Sequence, residues 1–133
     1  MAERYLRIDP SGELSWVLID RVPYEFDPSI EGLSLHQIYA AIGCSCMEQV
    51  RTIIPGIVIL IDECGKVISP PKPHNELASR LYAGWHYGLD DIVGPALVCA
   101  MRPTPPIGEH DLFPLQHREL LQLSLVLGVH LPE

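Results

Sequence analysis

Five consecutive aliphatic residues, Ile-Val-Ile-Leu-Ile at 57–61, constrain the fold more than any other part of the sequence. A run this short and this rich in β-branched side chains favours a strand, and a strand with no polar side should be buried on both faces. Hydrophobic residues make up 47% of the 133 residues, which is enough to build a core around such a strand. The sequence therefore predicts one compact domain over residues 1–133.

Alternation, turn residues and helix caps indicate the other elements. Strands are expected over residues 5–8, 13–20, 47–54, 66–69 and 91–101, and helices over about 35–42, 75–82 and 112–128. Loops are expected over 21–33 and 83–90, and a rigid Pro-rich linker over 103–111. Ser34 should cap the first helix and Gly43 should end it. These elements predict an α+β fold, with a mixed, mostly antiparallel sheet of about five or six strands packed on one face by two or three helices.

The charge balance excludes some classes of partner. The chain has 9 basic and 17 acidic side chains, and this negative excess repels a phosphate backbone, so direct nucleic-acid binding is not expected.

No apolar stretch approaches the roughly 18 residues of a membrane span, and the first residues lack the apolar segment of a signal peptide. We therefore expect a cytoplasmic protein with reduced thiols and no membrane contact.

The cysteines suggest a metal site only weakly. Cys44 and Cys46 are separated by one residue, whereas a zinc knuckle has two to four. With Cys64 on a nearby hairpin and a histidine, they could converge on zinc, but free cysteines are commonly buried core residues, as Cys99 is expected to be. Neither a metal nor a cofactor is expected.

Two histidine–aspartate groups are candidates for acid–base chemistry. His86 with Asp90 and Asp91 lies in a glycine-bounded loop, and His110 precedes Asp111. A solvated or capping pair is the plainer interpretation of each. The sequence contains no G-x-S-x-G, P-loop or G-x-G-x-x-G motif. A small hydrolase or metal-dependent enzyme built on His86, Asp90 and Asp91 is therefore an alternative and not the first hypothesis.

The segment Pro70-Pro-Lys-Pro-His-Asn75 is stiff, carries a cation and leads into a predicted helix. A helix N-terminus offers free N–H groups and a partial positive charge, which can bind an anion. Lys72, His74, Asn75 and Arg80 would surround a phosphate or carboxylate there. The alternative is that Asn75 simply caps the helix.

Two aromatic residues, Trp85 and Tyr87, flank His86 between Gly84 and Gly88. Exposed aromatic side chains on such a loop are typical of a binding surface, which adds Trp85 to the ligand-binding candidates. The alternative is a loop folded back into the core.

Four short motifs occur in a characteristic order: Ile8-Asp9-Pro10, then Ile57-Val-Ile-Leu-Ile-Asp-Glu-Cys-Gly-Lys66, then Pro73-His-Asn75, then Asp91-Ile-Val-Gly94. This order resembles, over roughly residues 4–127, a family of short phage, plasmid and other mobile-element proteins known as domain of unknown function thirty-eight forty-six. Members carry a Gly-Gly-Tyr-Ile-like step where this chain has Ile42-Gly-Cys-Ser-Cys46. The resemblance implies a small α+β fold and a mobile-element origin, and it implies no activity.

The leading hypothesis is a non-enzymatic binding protein of mobile-element type. It would contact a host protein or a small anionic ligand through residues 70–88. Besides the enzyme alternative, the chain could be a structural protein that forms a homo-oligomer. Its very apolar C-terminal helix would then be the subunit contact, with Leu120, Leu123 and Leu127 at the interface.

Overall fold

The computed structural model describes residues 2–25, 27–104 and 109–133, without the side chains of residues 104, 109 and 110. Within these residues, seven strands and four helices confirm the predicted α+β class. The strands are β1 (Ala2–Ile8), β2 (Leu14–Pro23), β3 (Glu31–Leu33), β4 (Met47–Arg51), β5 (Ile57–Asp62), β6 (Ala96–Thr104) and β7 (Glu109–Phe113). The helices are α1 (Leu35–Ile42), α2 (Glu76–Leu81), α3 (Ala83–His86) and α4 (His117–Leu127).

The strands form one sheet in the order β3-β2-β1-β6-β5-β4, and β7 pairs with the C-terminal half of β6. Each pairing in the described part of the chain is antiparallel, in line with the expected mostly antiparallel sheet, and the parallel pair that a mixed sheet would add does not occur there. β1 and β2 form a hairpin closed at Asp9, whose N–H donates to the Glu13 carbonyl at 2.9 Å. β6 lies between β1 and β5, so it joins the N-terminal β1–β2 hairpin to the β4–β5 pair in one sheet.

The central strand β5 is buried along its whole length, as the aliphatic run predicts. Ile57, Ile59 and Ile61 pack on the face covered by α2 and α4. Val58 and Leu60 pack on the opposite face, which α1 covers through Ile38 and Ile42. Helices therefore pack on both faces of the sheet rather than on one, because a strand with no polar side needs cover on each.

Both predicted caps of α1 are present. The Ser34 hydroxyl accepts a hydrogen bond from the Gln37 N–H at 3.3 Å. Gly43 ends the helix at φ 65°, a left-handed conformation that glycine adopts without strain. Local sequence was sufficient here because caps act within a single turn.

One predicted strand, residues 66–69, does not form. Residues 63–67 form turns and residues 68–70 a bend, and the Val67 and Ile68 N–H groups both donate to the Cys64 carbonyl. The hairpin that the pattern predicts has no place to pair, because β4 and β6 already occupy both edges of β5.

Three elements were not predicted. β3 lies in the expected loop and pairs with the end of β2, α3 lies in the expected aromatic loop, and β7 overlaps the expected linker and the start of the predicted last helix. Because β7 continues to Phe113, α4 begins at His117 instead of near residue 112. No helix in the described ranges has both the length and the apolar character needed to cross a membrane.

Candidate functional site

Five charged side chains meet at the surface beside the N-terminus of α2. Lys66 Nζ donates to Asp91 Oδ1 at 2.6 Å and also contacts the Asp90 carboxylate. His74 Nδ1 lies 2.7 Å from Asp91 Oδ2, and its Nε2 lies 3.0 Å from Glu76 Oε2. We call these residues (Lys66, His74, Glu76, Asp90 and Asp91) the His74 network.

Both ring nitrogens of His74 face carboxylates, and the network favours the charged imidazolium. Hydrogen bonds to Glu76 and then Asp91 raise the pKa of His74. The hydrogen bond from Lys66 lowers the pKa of Asp91. An imidazolium has no free lone pair with which to accept a proton. Because both ring nitrogens already contact carboxylates, the geometry of the network is poorly suited to general-base chemistry.

A cavity of about 90 Å³ adjoins this network. Its apolar lining comes from Val50, Ile61, Tyr82, Ile92 and Val93, and its charged lining comes from Glu48, Asp62, Glu63, Asp90, Asp91 and the single cation Lys66. The cavity lies between the β4–β5 pair and the segment 90–93. This side of the molecule therefore presents a strongly negative recess.

Lys72, one of the residues predicted to bind an anion, makes contacts that stabilise the fold instead. Its Nζ lies 2.8 Å from Asp62 Oδ2, 3.0 Å from the Ile42 carbonyl and 2.7 Å from the Gly43 carbonyl. These contacts use all three ammonium donors and satisfy carbonyls at the end of α1. A Cβ at Gly94 would lie 2.7 Å from Lys72 Cδ, so this glycine makes room for the lysine stem.

Asn75 is fully buried and is also committed to the fold. Its Oδ1 accepts from the Ala78 N–H at 3.1 Å and caps α2. Its amide nitrogen donates to the Ile8 carbonyl at 3.0 Å and to the Gly94 carbonyl at 2.9 Å. The capping alternative is confirmed, and Asn75 additionally joins α2 to the ends of β1 and of the 90–94 segment.

The structure gives three of the four predicted anion-binding residues separate partners. Lys72 contacts Asp62, His74 belongs to its own network, and Asn75 contacts backbone. Arg80 is partly buried, and its Nε has no hydrogen-bond partner among the described residues. The anion site stays a prediction that these contacts do not favour.

His86 is not the histidine that meets the aspartates. Its Nε2 lies 2.7 Å from the Arg80 carbonyl, and its ring stands edge-on to Trp85 at 5.7 Å. His74 contacts Asp91 instead. His86 was predicted to pair with the aspartates because it is close to them in the sequence. The same reasoning overlooked Lys66 and Glu76 as members of the network, because they lie far from Asp91 in the chain.

The aromatic segment, residues 83–90, has a backbone held by hydrogen bonds, and its large side chains are exposed. Trp85, Tyr87 and Leu89 are 37%, 81% and 75% exposed, and we call these three side chains the aromatic surface. The Leu89 N–H donates to the Gly84 carbonyl at 2.9 Å, and Gly88 adopts φ 71°. The alternative in which this loop fills the core is wrong.

The thiols do not form a recognisable metal centre. Cys46 donates to Glu63 Oε2 at 2.7 Å, and this hydrogen bond raises the pKa of Cys46 to about 11. Cys99 is buried in the core, as predicted, and burial raises its pKa. Across residues 2–25, 27–104 and 109–133, no three His, Cys, Asp or Glu side chains are placed to hold a metal ion.

Two of the three leucines predicted for a dimer contact on α4 are not available at the surface of this chain. Leu123 and Leu127 are buried in the chain's own core, and Leu120 is partly buried. Leu121 and Leu125 are the exposed leucines of this helix. Self-association through α4 stays a prediction, and it would have to use these other side chains.

The second histidine–aspartate candidate involves His110 and Asp111. The side chain of His110 lies outside the described residues, whereas Asp111 Oδ2 accepts from Arg21 Nη1 at 3.0 Å. Arg21 also contacts Glu3 at 2.8 Å and lies 4.4 Å above the Phe113 ring. Sequence reasoning missed Arg21, which links β1, β2 and β7.

Comparison with known proteins adds a family and no activity. The family model described as Domain of unknown function (DUF3846) matches residues 6–106. The match includes the His74 network, Lys72, Asn75 and the aromatic surface, and it ends before β7 and α4. Curated proteins and solved structures give no significant match. Because the family model covers well over half of the chain, this protein belongs to the Domain of unknown function (DUF3846) family.

Proposed function

We propose that this chain is a binding protein whose aromatic surface docks on a basic patch of a partner protein. The observation that carries the proposal is the exposure of Trp85, Tyr87 and Leu89 on an ordered backbone. Aromatic residues of this kind supply much of the binding energy at protein interfaces, and they lose little entropy when their backbone is already held. An exposed apolar group beside polar residues is typical of an interaction site.

Charge complementarity supports a basic partner. The recess is lined by Glu48, Glu63, Asp90 and Asp91, with Lys66 as its one cationic lining residue. Asp90 directly follows Leu89 of the aromatic surface in the chain. The chain as a whole has a formal net charge of −8. Such a field steers a positively charged surface toward the site and disfavours acidic partners. The aromatic surface would then provide short-range contact and the carboxylates would provide selectivity.

The proposal includes a mobile-element setting, which the family resemblance implies, and a cytoplasmic location, which the sequence predicts. In that setting the partner is a host protein. The alternative of an anionic ligand is less well supported, because Lys72 and Asn75 already use their donors within the fold. The hydrolase alternative is less well supported, because His86 contacts a backbone carbonyl and not an aspartate.

A displayed library of short random peptides tests the proposal while the partner is still unidentified. We expect the full chain to enrich peptides that combine Lys or Arg with apolar residues, and we expect salt to elute them. Tyr87→Ala with Leu89→Ala should weaken their binding by at least about tenfold. Leu125→Ala is the matched control, since Leu125 is an exposed leucine on α4. Enrichment of acidic peptides, or equal binding to the double variant, would overturn the proposal.

A further inference from the structure

We propose that His74 is a proton-dependent anchor of the aromatic surface: its imidazolium holds Asp91, and loss of the proton loosens the segment that carries Trp85, Tyr87 and Leu89. The consequence for docking rests on the function proposed above. The anchoring itself is a property of this chain alone. The two can therefore be tested separately.

The anchor lies where the aromatic segment rejoins the core. Asp91 follows that segment directly, and His74 Nδ1 lies 2.7 Å from its carboxylate. The next residues pair with the chain that leads into α2. The Asn75 N–H donates to the Ile92 carbonyl at 2.8 Å, and the Gly94 N–H donates to the Pro73 carbonyl at 2.8 Å. A change at His74 therefore acts on the fixed end of the segment that carries the aromatic surface.

The proton decides how many of the two carboxylates His74 can hold. The imidazolium donates from both nitrogens, so it can bond Asp91 and Glu76 together. A neutral ring donates from one nitrogen and turns a lone pair toward the other carboxylate. After loss of the proton, the remaining N–H either stays on Asp91 as a hydrogen bond from a neutral ring or faces Glu76 and turns the lone pair toward Asp91. In both cases the contact with Asp91 loses its charge assistance and weakens.

The charged groups around His74 set the direction of the pH response. Glu76 of α2 and Asp91 raise the pKa of His74 above its usual 6.5, and Lys66 and Asp90 lie behind Asp91. The contribution of the imidazolium to the anchor is therefore fully present below pH 6.5 and is lost as pH rises through the raised pKa of His74. Its acid limit is protonation of Asp91, whose pKa Lys66 lowers.

Lys66 limits the size of the response. It stays charged through this range and keeps its contacts with Asp90 and Asp91. Deprotonation of His74 should therefore loosen the segment and leave it attached. From the strength of exposed ion pairs, we expect about a two- to fivefold change in local opening.

The test is an NMR titration of the full chain. We expect the His74 ring and the backbone amides of residues 87–91 to titrate with one midpoint, above 6.5. Amide exchange at these positions, corrected for its intrinsic pH dependence, should become about two- to fivefold faster above that midpoint. His74→Gln should remove the amide titration. His36→Gln, at an exposed histidine on α1, should leave it unchanged.

A second variant keeps the test decisive if His74→Gln folds poorly. Glu76→Gln removes one carboxylate at an exposed position and retains Asp91, so it should lower the shared midpoint. A His74 ring that titrates while the amides of residues 87–91 stay unchanged would overturn the anchor. A third outcome separates anchoring from docking. If the His74 ring and the amides share a midpoint, but the selected peptides bind equally well at pH values below and above it, the anchor stands and its role in docking is overturned.

Discussion

Lys66 and Lys72 lie close together in the chain, and both contact aspartates, yet they serve different parts of the molecule. The Lys72 and Asp62 side chains are 15% and 7% exposed, and the pair also satisfies the end of α1. The Lys66 side chain is 38% exposed, and its partners Asp90 and Asp91 border the aromatic surface. Burial therefore separates a lysine that holds the core from one that stabilises a surface segment.

The difference in burial predicts different energetic roles. Removing one member of a buried ion pair leaves the other charge desolvated without compensation, which is strongly destabilising. An exposed pair is screened by water and contributes little. The core contacts of Lys72 and Asn75 should thus be sensitive to mutation, and the His74 network should tolerate it.

The largest effect is expected at Lys72. Lys72→Ala should lower the free energy of unfolding by about 3 kcal/mol. The reason is that the substitution leaves the Asp62 carboxylate without its counter-ion and the Ile42 and Gly43 carbonyls without a hydrogen-bond donor. Urea denaturation followed by circular dichroism measures this value. A loss below about 1 kcal/mol, the range of exposed pairs, would break the contrast with Lys66.

Asn75→Ala should come next, with a loss of about 2 kcal/mol in the free energy of unfolding. The variant loses the cap of α2 and leaves the buried Ile8 and Gly94 carbonyls without their donor. Asn75→Ser is the matched control, because a serine hydroxyl can still cap α2 while the two amide donors are lost. An alanine variant as stable as the wild type in the same urea titration would contradict this account.

Lys66→Ala should have a smaller effect, under about 1 kcal/mol, because solvent screens its contacts with Asp90 and Asp91. Raising the salt concentration should shrink the difference from the wild type further. Urea denaturation at low and high salt checks both expectations. A loss as large as that of Lys72→Ala would show that exposure is not what separates the two lysines.

The smallest effect is a pH dependence at His74. Its pKa is raised in the folded state, so its contribution to stability is present below pH 6.5 and is lost as pH rises through the raised value. The difference in melting temperature between the wild type and His74→Gln should therefore be larger at about pH 6 than at about pH 9. A difference that grows with rising pH has the wrong sign for this network.

Features that depend on neighbouring residues were predictable from the sequence. Ser34 and Gly43 were identified as the caps of α1, and Asn75 as the cap of α2, because capping acts within one turn. The aliphatic run predicted a doubly buried strand. The same run implied helices on both faces, which the prediction of one-sided packing overlooked.

The candidate site was predictable only in part. His74, Asp90, Asp91 and Trp85 were all identified as candidates, but they were assigned to two different sites. His86 was paired with the aspartates because it is close in sequence. Lys66 was assigned to a strand that does not form, so its contact with Asp91 was missed.

The sequence by itself determined the class of the fold, the central strand, the caps of α1 and the N-cap of α2, because hydrophobic pattern and capping are local properties of the chain. Only the tertiary structure decided that β7 pairs with β6, that residues 66–69 form no strand, and that His74 meets Asp91. Each of these depends on which edges and surfaces other segments have already occupied. Such occupancy is a relation between distant parts of the chain, and no single segment encodes it.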